Sequence, residues 1–288
     1  MLKSIAIVAG THGNETSGIQ LLHNWQNGGL PARFAALKPS FMLANTAAIK
    51  SNVRFLDDDL NRQFVPERLQ AASGDHEASL ARDINNRLGP KDNPQTDFVI
   101  DIHNTTSAMG ATLIILRKDA FSVQLARYVK HAMPEANILL EDEKPYAQHP
   151  YLCTVGKQGI MVEVGGQPQG VLREDVYQLT QTLTETILDF CLAFNTGPLP
   201  ELPECDVYRL GQNINFPLDD EGNRIAMVHH SLQDNDFQPL MPGAPVFKCF
   251  DGTELTWQDS EPTYPHFINE AAYASSHVAF ATASMITL

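Results

Sequence analysis

The chain has 288 residues, of which 43% are hydrophobic, and this is enough apolar material to fill one large domain or two medium ones. Its 34 acidic and 20 basic residues leave a formal net charge of −14. That balance argues against nucleic acid and anionic membranes as partners, because both are neutralised by Lys and Arg. A small anionic substrate stays open, since a few local arginines bind a carboxylate even in a negative protein.

The cysteines and the N-terminus both indicate a cytoplasmic protein. The four cysteines are widely separated, without a CxxC pair, and we expect reduced and mostly buried thiols; they are Cys153, Cys191, Cys205 and Cys249. The apolar run at 5–9 reaches Gly10 and a polar segment too soon for a signal peptide or a membrane span.

Buried strands alternate with amphipathic helices through the first two thirds of the chain. Apolar and β-branched runs predict strands at 5–9, 41–44, 98–102, 113–116, 138–140 and 160–164. Helical periodicity predicts helices at 17–25, 76–88, 120–133 and 174–194. This alternation predicts an α/β fold with a mixed central sheet and helices on both faces.

The pattern of apolar and turn-forming residues changes after the segment NTGPLP at 195–200. Beyond it, short apolar stretches are broken by Asp-Glu-Gly, Pro-Gly and Asp-Gly turn signals, a pattern typical of a small β-rich domain. We therefore expect a catalytic domain at 1–197 and a C-terminal β-rich domain at 198–288.

Three residues that can bind a metal lie at the ends of predicted strands. His12 and Glu15 follow the first strand, and His103 closes the strand at 98–102. Ligands of open α/β sheets bind beyond the carboxyl ends of the strands, so this placement favours function. Two histidines and one carboxylate leave a fourth position for water, as in catalytic zinc sites, and the absence of nearby thiolates disfavours structural zinc.

Glu163 is the candidate general base. It interrupts the apolar strand at 160–164, where an ionisable side chain is out of place without a partner or a chemical task. Zinc lowers the pKa of a bound water, and a nearby carboxylate is then needed to take its proton and pass it to the leaving nitrogen.

The segment 54–62 supplies candidate substrate contacts. Arg54 is suited to stabilising an oxyanion, and Asn61 with Arg62 is suited to gripping a carboxylate. The acidic triplet at 57–59 either orients these arginines or forms a solvated turn, and the two alternatives have equal weight.

Each of these signals has a plainer explanation when it is taken alone. An HxxE spacing is common by chance, a lone strand histidine is usually structural, a lone buried glutamate is often half of an ion pair, and arginines near acids usually form surface networks. Their occurrence together, in chain order and at strand ends, favours a joint site.

Five motifs in chain order resemble the aspartoacylase branch of the aspartoacylase and succinylglutamate desuccinylase family. They are AGTHGNE at 9–15, DLNR at 59–62, DIHNTT at 101–106, EVGGQPQGVLR at 163–173 and NEAAY at 269–273. The resemblance covers nearly the whole chain. It implies a zinc carboxypeptidase-like catalytic domain, a C-terminal β domain that narrows the entrance, and hydrolysis of an N-acyl amino acid.

The resemblance also implies roles for eight residues. His12, Glu15 and His103 match the ligands of one zinc ion per subunit, Glu163 the general base, and Arg54 the oxyanion-stabilising arginine. Asn61 and Arg62 match the carboxylate-binding pair, and Tyr273 matches a substrate-contacting tyrosine. The expected partner is a small N-acyl amino acid substrate, and neither nucleic acid nor a membrane is expected to bind. A homodimer is the possible oligomeric state.

Two departures from the family pattern concern specificity. Mammalian aspartoacylases carry an arginine near Cys153 and a lysine near Ser276, and both charges are missing here; His149, Lys157 or His277 are the candidates to replace them. N-acetyl-L-aspartate is the first expected substrate, and neutral or aromatic N-acyl amino acids are the alternative. A non-catalytic binding protein and a true carboxypeptidase are the rival functions. For Glu270 two roles stay open: tying the two domains together, which we favour, and a direct part in catalysis.

Overall fold

The computed structural model describes residues 1–71 and 74–288, and its described strands form two sheets. The strands are, in chain order, β1 (Ile5–Ala9), β2 (Ser40–Leu43), β3 (Phe98–Asn104), β4 (Gly110–Ile115), β5 (Asn137–Leu140), β6 (Gln158–Gly165), β7 (Asp206–Asn215), β8 (Ala226–Val228), β9 (Pro245–Cys249), β10 (Glu254–Thr256) and β11 (Val278–Thr287). The helices are α1 (Thr16–Gly28), α2 (Thr46–Ser51), α3 (Pro66–Gln70), α4 (His76–Leu88), α5 (Ala120–Ala132) and α6 (Glu174–Thr196).

The central sheet has eight strands in the order β11-β7-β5-β4-β6-β3-β1-β2. Strands β2, β1, β3 and β6 run parallel to one another, whereas β4 is antiparallel to β6 and β11 is antiparallel to β7. The mixed sheet is therefore confirmed. Because β1, β3 and β6 are parallel, the loops that follow β1 and β3 and the end of β6 meet at one edge.

Alternate side chains of the buried strands enter two different cores. Ile5 and Ile7 of β1 pack with residues of α1, α5 and α6, while Ala6 and Val8 pack with residues of α4 on the opposite face. The sequence of a strand that is buried on both sides is a continuous run of apolar residues, and this pattern predicted β1. Helices on both faces of the sheet are thus confirmed.

The predicted helix boundaries follow from local hydrogen bonding. Asp75 accepts a hydrogen bond from Ala78 N at the start of α4, and Asp119 accepts one from Ser122 N at the start of α5. Helix α5 ends at Ala132, just before Pro134, whose ring cannot continue the helical hydrogen-bond pattern. Among the described helices, none is both long and apolar enough to cross a membrane.

The C-terminal region contains a small antiparallel sheet, in the order β10-β9-β8, with its own apolar core. Strands β7 and β11 come from the same region, yet they pair with β5 and extend the central sheet. The β-rich character is confirmed, while the boundary between 197 and 198 stays a prediction, since the central sheet continues across it.

Candidate active site

The three predicted metal ligands meet at the edge where β1 and β3 end. His12 lies in the loop after β1, Glu15 directly precedes α1, and His103 lies near the end of β3. All three side chains are buried, and one ligand atom from each lies within 4.8 Å of the others. Glu15 also benefits from its place at a helix N-terminus, where the peptide dipoles favour negative charge.

Glycines shape the loop that carries His12. Gly10 has a φ of +69°, in the left-handed region that favours glycine. At Gly13 a Cβ atom would stand 2.1 Å from the carbonyl carbon of Ala48. Because only glycine fits there, the loop folds close to α2, and Gly13 N donates to the Arg54 carbonyl at 3.1 Å.

Each imidazole is oriented by an aspartate. Nε2 of His12 is 2.9 Å from Asp59 Oδ1, and Nε2 of His103 is 2.9 Å from Asp101 Oδ2. When Nε2–H donates to the carboxylate, Nδ1 is left as the lone-pair nitrogen, as in histidines that bind metals. The two Nδ1 atoms are 3.3 Å apart, and both face Glu15. Three electron-pair donors thus converge on one buried point, and the set fits a divalent cation.

The electrostatics of this group agree with a cation between the ligands. Burial alone would raise the pKa of Glu15, but the charges and hydrogen bonds of His12 and His103 outweigh it, so the pKa is lowered. Burial alone would lower the pKa of His103, but Asp101 and Glu15 outweigh it and raise the pKa well above its usual value. The surroundings therefore keep negative charge on Glu15 and favour positive charge beside it.

Arg54 is held rigidly beside the ligand group. Its Nη1 donates to Glu15 Oε1 at 3.0 Å and its Nη2 to Asp59 Oδ2 at 3.1 Å. Of the two alternatives for the acidic triplet at 57–59, orientation of an arginine applies to Asp59, which contacts both Arg54 and His12. Asp58 instead pairs with Arg68, at 2.8 Å.

Asn61 and Arg62 lie in a short 3-10 helix (Leu60–Arg62), at whose start Asp59 accepts a hydrogen bond from Asn61 N. The Asn61 Oδ1 atom accepts a hydrogen bond from Leu152 N at 2.8 Å. The Arg62 guanidinium lies 5.6 Å from the centre of the Tyr151 ring. Both residues line the same pocket as the ligand group.

Glu163 stands on β6 directly opposite His103 on β3. Its side chain is buried, and its carboxyl accepts no hydrogen bond from the described residues. Burial raises its pKa well above the usual value, and the nearby carboxylates of Glu15 and Glu270 add to the rise although His103 opposes it. A buried carboxyl without a structural partner, next to a metal-ligand group, has the features of a proton-transfer group.

Tyr273 and Glu270 bring the C-terminal region to the site. Tyr273 lies in the 3-10 helix Ala271–Ser276 and lines the pocket. Glu270 Oε2 accepts hydrogen bonds from Thr106 N at 2.7 Å, Thr106 Oγ1 at 2.9 Å and Ser107 N at 3.2 Å. Glu270 also accepts one from the Thr105 hydroxyl. It therefore fastens the C-terminal wall to the loop after β3, as expected.

The site consists of two connected cavities. The inner chamber, of about 60 Å³, lies between the ligand group, Glu163 and Arg62. The outer chamber, of about 500 Å³, opens from it past Tyr151, Phe267 and Tyr273.

The two missing charges are not replaced in these chambers. Cys153 is fully buried in the core, and Ser276 lines the outer chamber without a charge. Lys157 pairs with Asp97 at 2.7 Å outside the site, and neither His149 nor His277 lines a chamber. Of the described residues that line the two chambers, only Arg54 and Arg62 carry a positively charged lysine or arginine side chain.

Several residues of the site were not predicted from the sequence, among them one aspartate and three residues of the chamber walls. Asp101 could have been found, because Asp101 and His103 are two apart on a strand and so share a face. Glu141, Tyr151 and Phe267 gave no local signal, since they come from separate loops that only the tertiary fold brings together.

Comparisons with known proteins agree with this geometry. Residues 1–191 match the succinylglutamate desuccinylase/aspartoacylase catalytic domain, and residues 203–285 match the barrel-sandwich hybrid domain of the same family. The chain is 40% identical to an aspartoacylase of Danio rerio, over 97% of this chain and 91% of that protein. It is 39% identical to an N-acyl-aromatic-L-amino acid amidohydrolase (carboxylate-forming) of Homo sapiens, over 99% of this chain and 92% of that protein.

A solved structure gives the same result. The crystal structure of murine aminoacylase 3 superimposes with a TM-score of 0.92 at 38% identity, covering 100% of this chain and 96% of that one. The buried His12, Glu15 and His103 group stands in a fold of the same architecture. The chain therefore belongs to the succinylglutamate desuccinylase/aspartoacylase family and is an amidohydrolase.

Proposed function

We propose that this protein is a zinc-dependent deacylase that hydrolyses N-acyl-L-amino acids to a carboxylate and a free amino acid. The observation that carries the proposal is one pocket that joins the His12, Glu15 and His103 group to Glu163 and, at its other end, to Arg62. The names of the Danio rerio and Homo sapiens relatives support the same reaction class.

The donor chemistry of the site fits zinc. The two Nδ1 atoms, each freed when Nε2–H donates to an aspartate, and one carboxylate make a three-ligand set that leaves a position open, as catalytic zinc requires. A zinc ion there would act as a Lewis acid on the acyl carbonyl and lower the pKa of a coordinated water to about 7.

Glu163 would move the proton of the reaction. In our proposal its carboxylate takes a proton from the attacking water and delivers it to the leaving nitrogen. Burial raises its pKa, so it binds the proton more firmly than an exposed glutamate would and keeps it until the amine departs.

Arg54 would stabilise the oxyanion that forms on the acyl carbon. Its two hydrogen bonds, to Glu15 and Asp59, fix the guanidinium before substrate arrives. Burial alone would lower its pKa, but these two carboxylates outweigh it and raise the pKa. A fixed cation needs little reorganisation as charge develops, and that is the source of its catalytic effect.

Asn61, Arg62 and Tyr273 would hold the α-carboxylate of the substrate. Arg62 offers a guanidinium to the pocket, supported from one side by the Tyr151 ring. An arginine binds a carboxylate in two parallel hydrogen bonds and so fixes its orientation as well as its position.

The substrate side chain distinguishes the two candidates. N-acetyl-L-aspartate carries a second carboxylate, and the described lining of the chambers offers it no cation besides Arg54, which is already paired, and Arg62. Tyr151, Phe267 and Tyr273 instead provide aromatic walls. These features support neutral or aromatic side chains ahead of aspartate.

The rival functions have less support. A non-catalytic binding protein has no physical need for a buried, unpartnered Glu163 beside a rigid Arg54. A carboxypeptidase needs an open cleft, whereas the 3-10 helix Ala271–Ser276, anchored by Glu270, closes one side of this pocket. The homodimer stays a prediction, which sedimentation of the purified protein would test.

Steady-state hydrolysis of N-acetyl derivatives of aspartate, phenylalanine and tyrosine tests the proposal, with a chelator-treated sample as the control. We expect zinc-dependent release of acetate and faster turnover of the aromatic substrates. Preference for acetylaspartate would return aspartate to first place, and failure of every substrate in the zinc-loaded protein would overturn the deacylase assignment.

A further inference from the structure

A buried carboxyl group that has no part in the proposed chemistry stands in the wall of both chambers. Glu141 directly follows β5, and its backbone N–H donates to the Ile115 carbonyl at 2.9 Å, so the sheet fixes its position. Only 5% of the residue is exposed, and its side chain borders the inner and outer chambers alike.

Glu141 is only partly satisfied by the protein. The Tyr151 hydroxyl donates to its Oε2 atom at 2.8 Å, and its Oε1 atom accepts no hydrogen bond from the described residues. It forms no ion pair with a described lysine, arginine or histidine within 4.0 Å. Burial of an ionised carboxyl without a paired cation lowers the stability of the fold, so such a group indicates a functional role.

The position of Glu141 relative to Arg62 indicates a contact with the side chain of the substrate. The Arg62 guanidinium and the Glu141 carboxyl both contact Tyr151, one through the ring and the other through the hydroxyl. A substrate whose α-carboxylate binds Arg62 would therefore direct its side chain past Tyr151, where Glu141 forms the wall.

The surroundings bring the pKa of Glu141 close to physiological pH. Its pKa is raised to about 7, mainly by burial and in addition by the charge of Glu143, although Tyr151, Arg62 and Lys144 oppose the rise. The titratable and charged groups that influence it or are influenced by it are Tyr151, Glu143, Arg62, Lys144, Tyr273 and Cys153.

We propose that Glu141 is a specificity-determining residue that excludes N-acyl amino acids with an anionic side chain and so directs the site to uncharged ones. This inference rests on the proposed deacylase function. A second negative charge brought against the Glu141 carboxylate in a dry pocket meets like-charge repulsion that an uncharged side chain of the same shape does not meet.

The test compares N-acetylaspartate with N-acetylasparagine, which have nearly the same shape and differ by one charge. The ratio of their kcat/KM values isolates the side-chain contact, because the pH dependence of the shared chemistry cancels. We expect wild type to favour acetylasparagine and the ratio to move toward acetylaspartate as pH falls through about 7, where Glu141 becomes protonated. Glu141→Gln should raise the relative rate of acetylaspartate about tenfold or more above pH 7 and remove this pH dependence.

Glu135→Gln is the control, since it removes one negative charge from an exposed position that lines neither chamber and should leave the ratio unchanged. Where turnover of either substrate is too slow, its inhibition constant against the fastest substrate replaces kcat/KM. If Glu141→Gln does not fold, the pH dependence of the wild-type ratio still decides.

Two outcomes would overturn the inference. A wild-type preference for acetylaspartate, or a ratio unaffected by both pH and Glu141→Gln, removes Glu141 from specificity while leaving the deacylase intact. If the zinc-loaded wild type hydrolyses no N-acyl amino acid, the proposed function itself fails and takes this inference with it.

Discussion

The inner and outer chambers differ in how their polar groups are supported. In the inner chamber, His12 and His103 each have an aspartate behind them, and Arg54 is held by two carboxylates. In the outer chamber the lining mixes aromatic rings with polar and charged side chains, and the Glu141 carboxyl accepts one hydrogen bond from the described residues, that of the Tyr151 hydroxyl.

The difference follows from the tasks of the two chambers. Groups that bind a metal or stabilise developing charge must be in place beforehand, so each needs a supporting partner. A side-chain pocket works by differences in affinity, for which shape and one well-placed charge are sufficient. We therefore expect substitutions in the inner chamber to change the rate for every substrate, and substitutions in the outer chamber to change the choice of substrate.

The largest effect is expected at Glu163. Replacement by Gln keeps the shape but removes the proton acceptor, and we expect kcat to fall by about 10²–10⁴-fold for all substrates alike. Metal content, measured on the same sample, should stay at the wild-type level, because Glu163 is outside the ligand group. Near-normal turnover of the variant would remove Glu163 from the mechanism.

Arg62 marks the division between the chambers. Arg62→Ala should lower kcat/KM about 10–100-fold, mainly through KM, because a charge-assisted carboxylate contact is lost. The control is an N-acyl amino acid amide, which lacks the α-carboxylate and should be hydrolysed equally by wild type and variant. An equal loss with both substrates would show that Arg62 shapes the pocket rather than binds the carboxylate.

The next prediction concerns Asp101, which holds the metal-ligand candidate His103 in place. Asp101 accepts hydrogen bonds from His103 Nε2 and from the Thr11 hydroxyl, at 2.9 and 2.8 Å. Asparagine offers one acceptor for these two donors, so Asp101→Asn should weaken zinc binding about 10–100-fold in a chelator competition. Thr11→Val removes only the outer donor and should have a clearly smaller effect; equal affinities in wild type and Asp101→Asn would contradict the supporting role.

The sequence predicted the inner chamber far better than the outer one. His12, Glu15, His103 and Glu163 follow or close buried strands, and parallel strands bring such positions to a common edge. Their convergence was therefore predictable from strand order in the chain and local pattern alone.

The outer chamber depends on contacts that no local pattern encodes. Glu141 reaches the site because β5 lies next to β4, and Phe267 and Tyr273 reach it because the C-terminal region folds back over the edge of the sheet. The same reason explains β7 and β11: alternation predicts that a segment is a strand, but not which sheet it joins.

The smallest effect is expected at Glu270, which joins the C-terminal wall of the outer chamber to the loop that follows β3. Its Oε2 atom accepts hydrogen bonds from Thr106 and Ser107, and its Oε1 atom accepts one from Ala272 N. A glutamine amide has one oxygen and an NH2 group that cannot accept, so it loses one of these two sets. We expect Glu270→Gln to lower the free energy of unfolding by about 1–3 kcal/mol, measured by urea denaturation of the metal-free protein. Turnover of all substrates should fall only modestly, because the wall loosens while the ligand group is unchanged. A loss of turnover as large as that of Glu163→Gln, at unchanged stability, would instead give Glu270 a direct part in the reaction.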